Sequence, residues 1–332
     1  MKKFIIPIIF ILILVIFAVF GIFWWRENTK PVSDDQFTKD FLIVRGRSAS
    51  QIGEYLYDEG LIRNPLAFKI YVQVSGRAGQ IQAGEFKLSP SFSLQEIINA
   101  LTSGPTELWV TVPEGLRREE AAERFIESLE MSTADAIIFR QGFLTESAGM
   151  EGFLFPDTYL FPRDVDAQTV ISTMRNTFDR RTSDFQGDIE GSELTLEEIV
   201  TLASIIERET KTDAERPLVS GILLNRLNIG MALQVDASVQ YAVASENCEL
   251  NENCQWWPVL TREDLQINSS YNTYRFTGFP PAPIASPGLS SLRAAVNPAN
   301  TEYFYYIHDP SGQIHYAETL EEHNRNVQVY LN

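Results

Sequence analysis

The chain opens on an unbroken apolar run. Phe4 to Trp25 is 22 residues without a charge, with Lys2 and Lys3 before it and Arg26, Glu27 and Lys30 after it. At about 1.5 Å per helical residue this is long enough for a hydrocarbon core of about 30 Å. A cleaved signal peptide would carry an apolar region of about 7–15 residues and a small-residue cleavage site. Phe23-Trp-Trp-Arg26 is no such site. Residues 1–26 are therefore expected to be an uncleaved transmembrane anchor, touching the lipid bilayer through residues 4–25. The leading lysines favour an N-terminus inside, and Trp24 and Trp25 suit the far interface. The rest of the chain is then expected outside the cytoplasm, on the periplasmic side of the plasma (inner) membrane.

Beyond a polar stretch at 27–40, expected as a stalk, strand and helix patterns follow each other. Phe41-Leu-Ile-Val44 reads as a strand, Ser48 and Gln51 as a capping box, and Ile52, Tyr55 and Leu56 as the inner face of a helix. Pro65 begins a second helix with Phe68, Tyr71 and Val72 facing inward, Gly84–Leu88 reads as a strand, and Ser93-Leu-Gln-Glu96 caps a helix ending near Gly104. Shifting Ile43-Val-Arg-Gly46 by 69 residues gives Val112-Pro-Glu-Gly115, a weak internal repeat that suggests two copies of a strand–turn–helix–helix unit. Phe153, Phe155, Tyr159 and Phe161 alternate, which suits either a sugar-stacking strand face or an ordinary packed hairpin. Near the end, strands at Tyr303–Ile307 and Gln313–Tyr316 flank the turn Asp309-Pro-Ser-Gly312, before a helix capped by Thr319 and Glu322.

Composition narrows the function. The formal charge is −17, from 27 Lys+Arg against 44 Asp+Glu, so a nucleic-acid partner is not expected. Three histidines and two cysteines leave little for a metal site, and the spacing of His308, His315 and His323 fits no usual motif. Cys248 and Cys254 are either a local bridge or two free thiols.

The chemistry concentrates in one helix. Thr195-Leu-Glu-Glu198 is a capping box, and Ile199, Leu202, Ile206 and Glu209 fall on one stripe of a 3.6-residue period. Glu209 thus extends an apolar face, and a desolvated carboxyl there stays protonated toward neutrality, as a general acid must. Glu207 lies about 200° away on the helix. The competing reading is that Glu209, in the last turn, is exposed or paired with Arg208, Lys211 or Arg216. Thr212-Asp-Ala-Glu215 is a second capping box, beginning a helix that stops at Gly230. The proline-rich Gly278–Gly288 must be an ordered loop.

Several motifs then coincide. Leu202-Ala-Ser-Ile-Ile-Glu-Arg-Glu-Thr210, Asn225-Arg-Leu227, Leu233-Gln-Val-Asp236, Tyr271-Asn-Thr-Tyr274, Gly278-x-Pro-Pro-x-Pro-Ile284 and Ala295-x-Asn-Pro298 resemble the endolytic murein transglycosylases, the YceG-like family. The Cys248–Cys254 segment departs from the family pattern. The resemblance implies an α+β fold, with a transmembrane helix, LysM-like modules at 41–104, a second strand–helix subdomain at 105–165 and a catalytic domain at 166–332. It implies a lytic transglycosylase that cuts the MurNAc–GlcNAc β-1,4 bond of nascent peptidoglycan strands, leaves 1,6-anhydro ends and so stops glycan elongation. It implies no metal or organic cofactor. The family's catalytic acid matches Glu209, with Glu207 in reserve. Gln234, Asp236, Asn272, Tyr274 and Asn297 are candidates for holding the sugar; turn and cap bonding is their ordinary role. Peptidoglycan glycan strands are the expected partner, with peptidoglycan synthases at the membrane a further one. Two other readings compete: a membrane-tethered peptidoglycan-binding protein without activity, and a serine hydrolase using Ser286, which lacks a G-x-S-x-G elbow.

Overall fold

The computed structural model describes residues 2–104, 106–248 and 254–331, with side chains from Leu12 onward. It is a mixed α+β protein that divides into two compact units.

The first unit comprises residues 2–109 and 160–163. It holds α1 (Lys2–Asn28), β1 (Lys39–Ile43), α2 (Ala49–Asp58), α3 (Pro65–Val74), β2 (Gly84–Leu88) and α4 (Leu94–Ser103). The local signals fold as the sequence reads: Ser48 and Ser93 each close a capping box, and Asn64 caps the helix begun by Pro65. β1 and β2 pair antiparallel, with Phe41 opposite Phe86, and the helices close over Leu56, Phe68, Ile97 and Leu101. The polar stretch read as a stalk is pinned down: Val32 and Ser33 N–H groups donate to the Pro90 carbonyl at 3.0 and 3.2 Å, and Arg63 reaches the Pro31 carbonyl. Trp24 packs against this core and Trp25 stacks on Tyr71, so the aromatics at the end of α1 are held by protein. Side chains Leu12 to Phe23 are exposed on every face of the helix. Among the described residues no helix is long and apolar enough to cross a membrane. The first part of the expected span, through Ile11, lies outside the described side chains.

Two further strands, β3 (Glu107–Thr111) and β4 (Thr158–Pro162), complete a four-stranded sheet of order β1-β2-β3-β4. Each belongs partly to either unit.

The second unit comprises the described residues of 110–159 and 164–331. Residues 110–159, expected as part of a separate subdomain, thus belong with the C-terminal region. Its helices are α5 (Arg118–Ser128), α6 (Thr133–Glu146), α7 (Ala167–Thr182), α8 (Gln186–Gly191), α9 (Leu196–Glu209), α10 (Arg216–Asn228), α11 (Asp236–Asn247), α12 (Leu289–Val296) and α13 (Leu320–Tyr330). A hairpin of β5 (Tyr305–His308) and β6 (Ile314–Ala317) lies before α13. The strand–helix–helix order of β1, α2 and α3 recurs in β3, α5 and α6, as the internal repeat suggests.

Two expectations change. Phe155, Tyr159 and Phe161 are buried, and Phe153 packs on Phe178 at 5.3 Å, so these aromatics are interior packing and not a sugar platform. The Thr212-x-x-Glu215 capping box does not form: Thr212 Oγ1 donates to the Glu215 carboxylate at 2.9 Å, Glu215 N–H goes to the Thr212 carbonyl, and α10 starts only at Arg216. Lys211 N–H and His308 also engage Glu215, which makes it a hub of the turn.

α9 lies at the centre of the second core: every residue from Ile199 to Ile206 is buried. Gly152 lets the loop after α6 approach this helix. Its φ is 82°, and a Cβ there would sit 2.6 Å from Pro283 Cβ and 2.8 Å from Val200 Cγ1. Gly152→Ala is expected to destabilise the protein by about 2–3 kcal/mol, from the left-handed backbone and the overpacking together. Urea unfolding at equilibrium measures this.

Candidate active site

α9 begins at a reciprocal cap, Thr195 N–H donating to Glu198 at 2.8 Å and Thr195 Oγ1 accepting from Glu198 N–H. It ends at Thr210, whose extended backbone turns the chain away and whose N–H and hydroxyl both donate to the Ile206 carbonyl. Because the helix is buried all round, both glutamates of its last turn face into protein. The apolar stripe alone therefore does not separate Glu207 from Glu209. Their partners do.

Glu207 is fully engaged. One oxygen accepts from Arg216 Nη2 at 2.9 Å, and the other from Gly288 N–H at 2.9 Å and Ser291 Oγ at 2.8 Å. It ties α10 and the first turn of α12 to α9, and it takes a helix N-terminus as an N-cap side chain does. Glu114 lies against Gly288; burial, with help from the Glu207 charge, pushes its carboxyl up. Between the two glutamates Arg208 turns elsewhere, its guanidinium 3.7 Å from the centre of the Trp257 ring. Trp257 Nε1 in turn donates to Glu120 at 3.0 Å.

Glu209 has a different environment. The residue keeps intermediate exposure, so its pocket is closed in but not sealed. Tyr306 Oη donates to Glu209 Oε2 at 2.8 Å. The Ala237 N–H at the start of α11 and the Arg226 charge also favour the carboxylate. Desolvation is the larger effect, and with the negative charge of Asp236 it raises the Glu209 pKa above its ordinary value. No cation forms an ion pair with Glu209 among the described residues. Asp236 accepts from Tyr274 Oη at 2.6 Å, which accounts for two of the predicted sugar-contact residues beside the acid.

The converging motifs explain this geometry. Asn225 Nδ2 donates to the Thr301 and Tyr303 carbonyls at 2.8 and 3.0 Å, and Arg226 Nε to the Phe304 carbonyl at 2.6 Å. These bonds lead the chain into β5, which carries Tyr306. Arg226 also reaches the Leu233 carbonyl, and Gln234 and Val235 N–H groups donate to the Thr273 backbone and hydroxyl. Gln234 is held at a φ of 51°, a strained backbone next to Asp236, with its side chain exposed. Asn272 is buried and its amide is spent on the Leu265 and Ile267 carbonyls, while its oxygen accepts from Tyr274 N–H. Asn297 donates to Asp188 at 3.2 Å in a separate recess with Phe185, Asp213 and Arg293. Thus Asp236 and Tyr274 stand beside Glu209, Gln234 orients the turn leading there, Asn272 fixes a loop, and Asn297 lies elsewhere.

Cys248 and Cys254 are bonded to each other, joining the end of α11 to the segment that carries Trp257; the residues between them are outside the described set. The histidines serve locally: His308 bonds Glu215, His315 bonds Asp309, and His323 lies against Tyr305. No cluster of three metal-ligating side chains occurs among the described residues.

A model of the YceG-like family matches residues 41–329, most of the chain. The chain belongs to the YceG-like family. YceG-like relatives include a Bacillus subtilis endolytic murein transglycosylase, 30% identical over 92% of this chain and 89% of that protein. A Streptococcus pneumoniae endolytic murein transglycosylase is 26% identical over all of this chain and 66% of its own length. A crystallised yceG-like protein from Listeria monocytogenes matches with a TM-score of 0.59 at 27% identity, over 88% of this chain and 99% of that one.

Sequence reasoning missed Tyr306, the Ala237 N–H and the part Arg226 plays, since each joins Glu209 only through the tertiary fold. Glu207→Ala would remove the acceptor of three hydrogen bonds, orphan the Gly288 N–H and leave buried Arg216 with Asp213 as its one ion-pair partner among the described residues. We expect it to cost about 3–5 kcal/mol, read as a lowered midpoint in thermal or urea unfolding.

Proposed function

We propose that this protein is a lytic transglycosylase acting on peptidoglycan, with Glu209 as its proton-transferring group. The observation that carries the reading is a desolvated carboxyl with no ion-pair partner among the described residues, in the last turn of a buried helix. It is supported by the family and by the name its relatives bear, endolytic murein transglycosylase.

A lyase of this kind needs one such group. Protonated Glu209 gives its proton to the bridging oxygen of the MurNAc–GlcNAc β-1,4 bond, and the bond from the MurNAc anomeric carbon to that oxygen breaks. GlcNAc leaves with a free 4-hydroxyl. The MurNAc 6-hydroxyl then bonds to the anomeric carbon, and its proton returns to the Glu209 carboxylate. The product is a 1,6-anhydro end, with water neither consumed nor released. Hydrolysis would ordinarily ask for a second carboxylate to activate water or form a covalent intermediate. Asp236 is the nearby candidate, but its Oδ1 is engaged by Tyr274. In the transglycosylase reading Asp236 and Tyr274 contact the sugar beside the acid.

The cellular setting in this reading is the membrane. α1 carries no charge between Lys3 and Arg26, and its described apolar side chains are exposed all round, as suits lipid. Anchored there, with a LysM-like first unit holding glycan, the enzyme would cut strands as synthases extend them and so limit their length.

Glu209→Gln is expected to lower the formation of 1,6-anhydro ends from glycan strands at least about 100-fold while glycan binding persists, by mass spectrometry of products and by pull-down. Full activity in that variant removes Glu209 from the chemistry. In fractionated cells the full chain should sediment with membranes and resist carbonate extraction, and deletion of residues 2–26 should release it. Recovery of the full chain in the soluble fraction rules out the anchor.

A further inference from the structure

Tyr306 is a half-buried phenol whose hydroxyl meets one acceptor, Oε2 of Glu209, at 2.8 Å. No other acceptor for it is recorded among the described residues, so its proton points at that oxygen. Burial and the neighbouring glutamate hold its own ionisation well above the ordinary range, so it remains a donor wherever the enzyme works. We propose that Tyr306 is a positioning residue that assigns the acid proton of Glu209 to one oxygen, Oε1, and aims it at the glycosidic oxygen. This rests on Glu209 being the general acid.

In a neutral carboxyl the carbonyl oxygen is the better acceptor and the hydroxyl oxygen carries the proton. A fixed donor at Oε2 makes Oε2 the carbonyl oxygen and leaves the proton on Oε1. After transfer the same bond stabilises the carboxylate, and Oε1, the oxygen Tyr306 does not engage, takes the 6-hydroxyl proton back. One phenol thus keeps donor and acceptor on the same atom through both halves of the reaction, without giving up its own proton.

Position supports the assignment. Tyr306 lies on β5, whose approach is fixed by Asn225 and Arg226 through the carbonyls of Thr301, Tyr303 and Phe304. The other charged or titratable groups around Glu209 are Arg208 and Glu207 on α9, Arg226 on α10, Asp236 on α11 with Tyr274 bonded to it, and Tyr305, which His323 of α13 flanks. Among the described residues only Tyr306 donates a side-chain hydrogen bond to the Glu209 carboxyl.

The test is the pH profile of 1,6-anhydro end formation by the full chain in detergent, on isolated glycan strands. Tyr306→Phe removes one hydroxyl. It should lower kcat about 10- to 100-fold with KM little changed, the loss of a hydrogen bond to a charged group. Its descending alkaline limb should move to higher pH, since a contact favouring the carboxylate is gone. Replacing Tyr306 with 3-fluorotyrosine strengthens the donor and should move the limb to lower pH, a readout that stands even where the phenylalanine variant fails to fold. Unchanged kcat and an unmoved limb in either folded variant overturn the proposal. Glu209→Gln run beside them separates the two ideas: if it is inactive and the Tyr306 variants behave as wild type, only the Tyr306 role falls. If it is active, the acid assignment falls and takes this inference with it.

Discussion

A helix walled in on every side cannot end in two carboxylates unless each finds partners or stays neutral. That constraint organises the second unit of this protein. Glu207 takes the first solution. An arginine, a backbone N–H and a serine hydroxyl surround it, and its charge fastens two neighbouring helices to α9. Glu209 takes the second. It receives a neutral phenol and a backbone N–H, no ion-pair partner among the described residues, and the field of a nearby aspartate. Two residues apart, the same side chain is a structural clamp and, in the proposed reading, a poised acid, and the difference lies in what the fold brings to each.

The motifs that mark the family make sense as parts of this arrangement. Asn225 and Arg226 thread the chain that becomes β5, so Tyr306 arrives at the acid. The segment around Val235 is stitched to Thr273 by backbone and hydroxyl bonds, and this brings Asp236 and Tyr274 together beside Glu209. The proline-rich loop is held on another side: Ser286 exchanges backbone bonds with Gly115 and Leu116, Ile284 N–H donates to Ser204 of α9, and Gly288 reaches Glu207. Widely separated stretches thus converge on the last two turns of one helix. Much of the sequence pattern supports a single carboxyl and its shelter.

What the sequence reveals follows from how local the cause is. The caps at Ser48, Ser93, Thr195 and Thr319 are readable because donor and acceptor lie within three residues of each other. The strand–helix–helix repeat is readable for the same reason. The apolar stripe points to Glu209, yet it treats Glu207 as lying on another face, and that face is equally buried because a second set of elements covers it. Tyr306 is 97 residues from its partner, and no spacing could announce that bond. The aromatics from Phe153 to Phe161 suit a ligand face as well as a core by alternation alone; only burial decides. Asn272 likewise has the right chemistry for a sugar, and it spends that chemistry on its own loop.

The most direct test of the account is the protonation state of Glu209 itself. Carboxyl-carbon NMR of the full chain, titrated over pH and assigned by the signal missing in Glu209→Gln, should show that carboxyl still protonated above the range where exposed glutamates ionise. A signal that titrates with the exposed glutamates, or below them, would contradict the desolvated acid on which the chemistry depends.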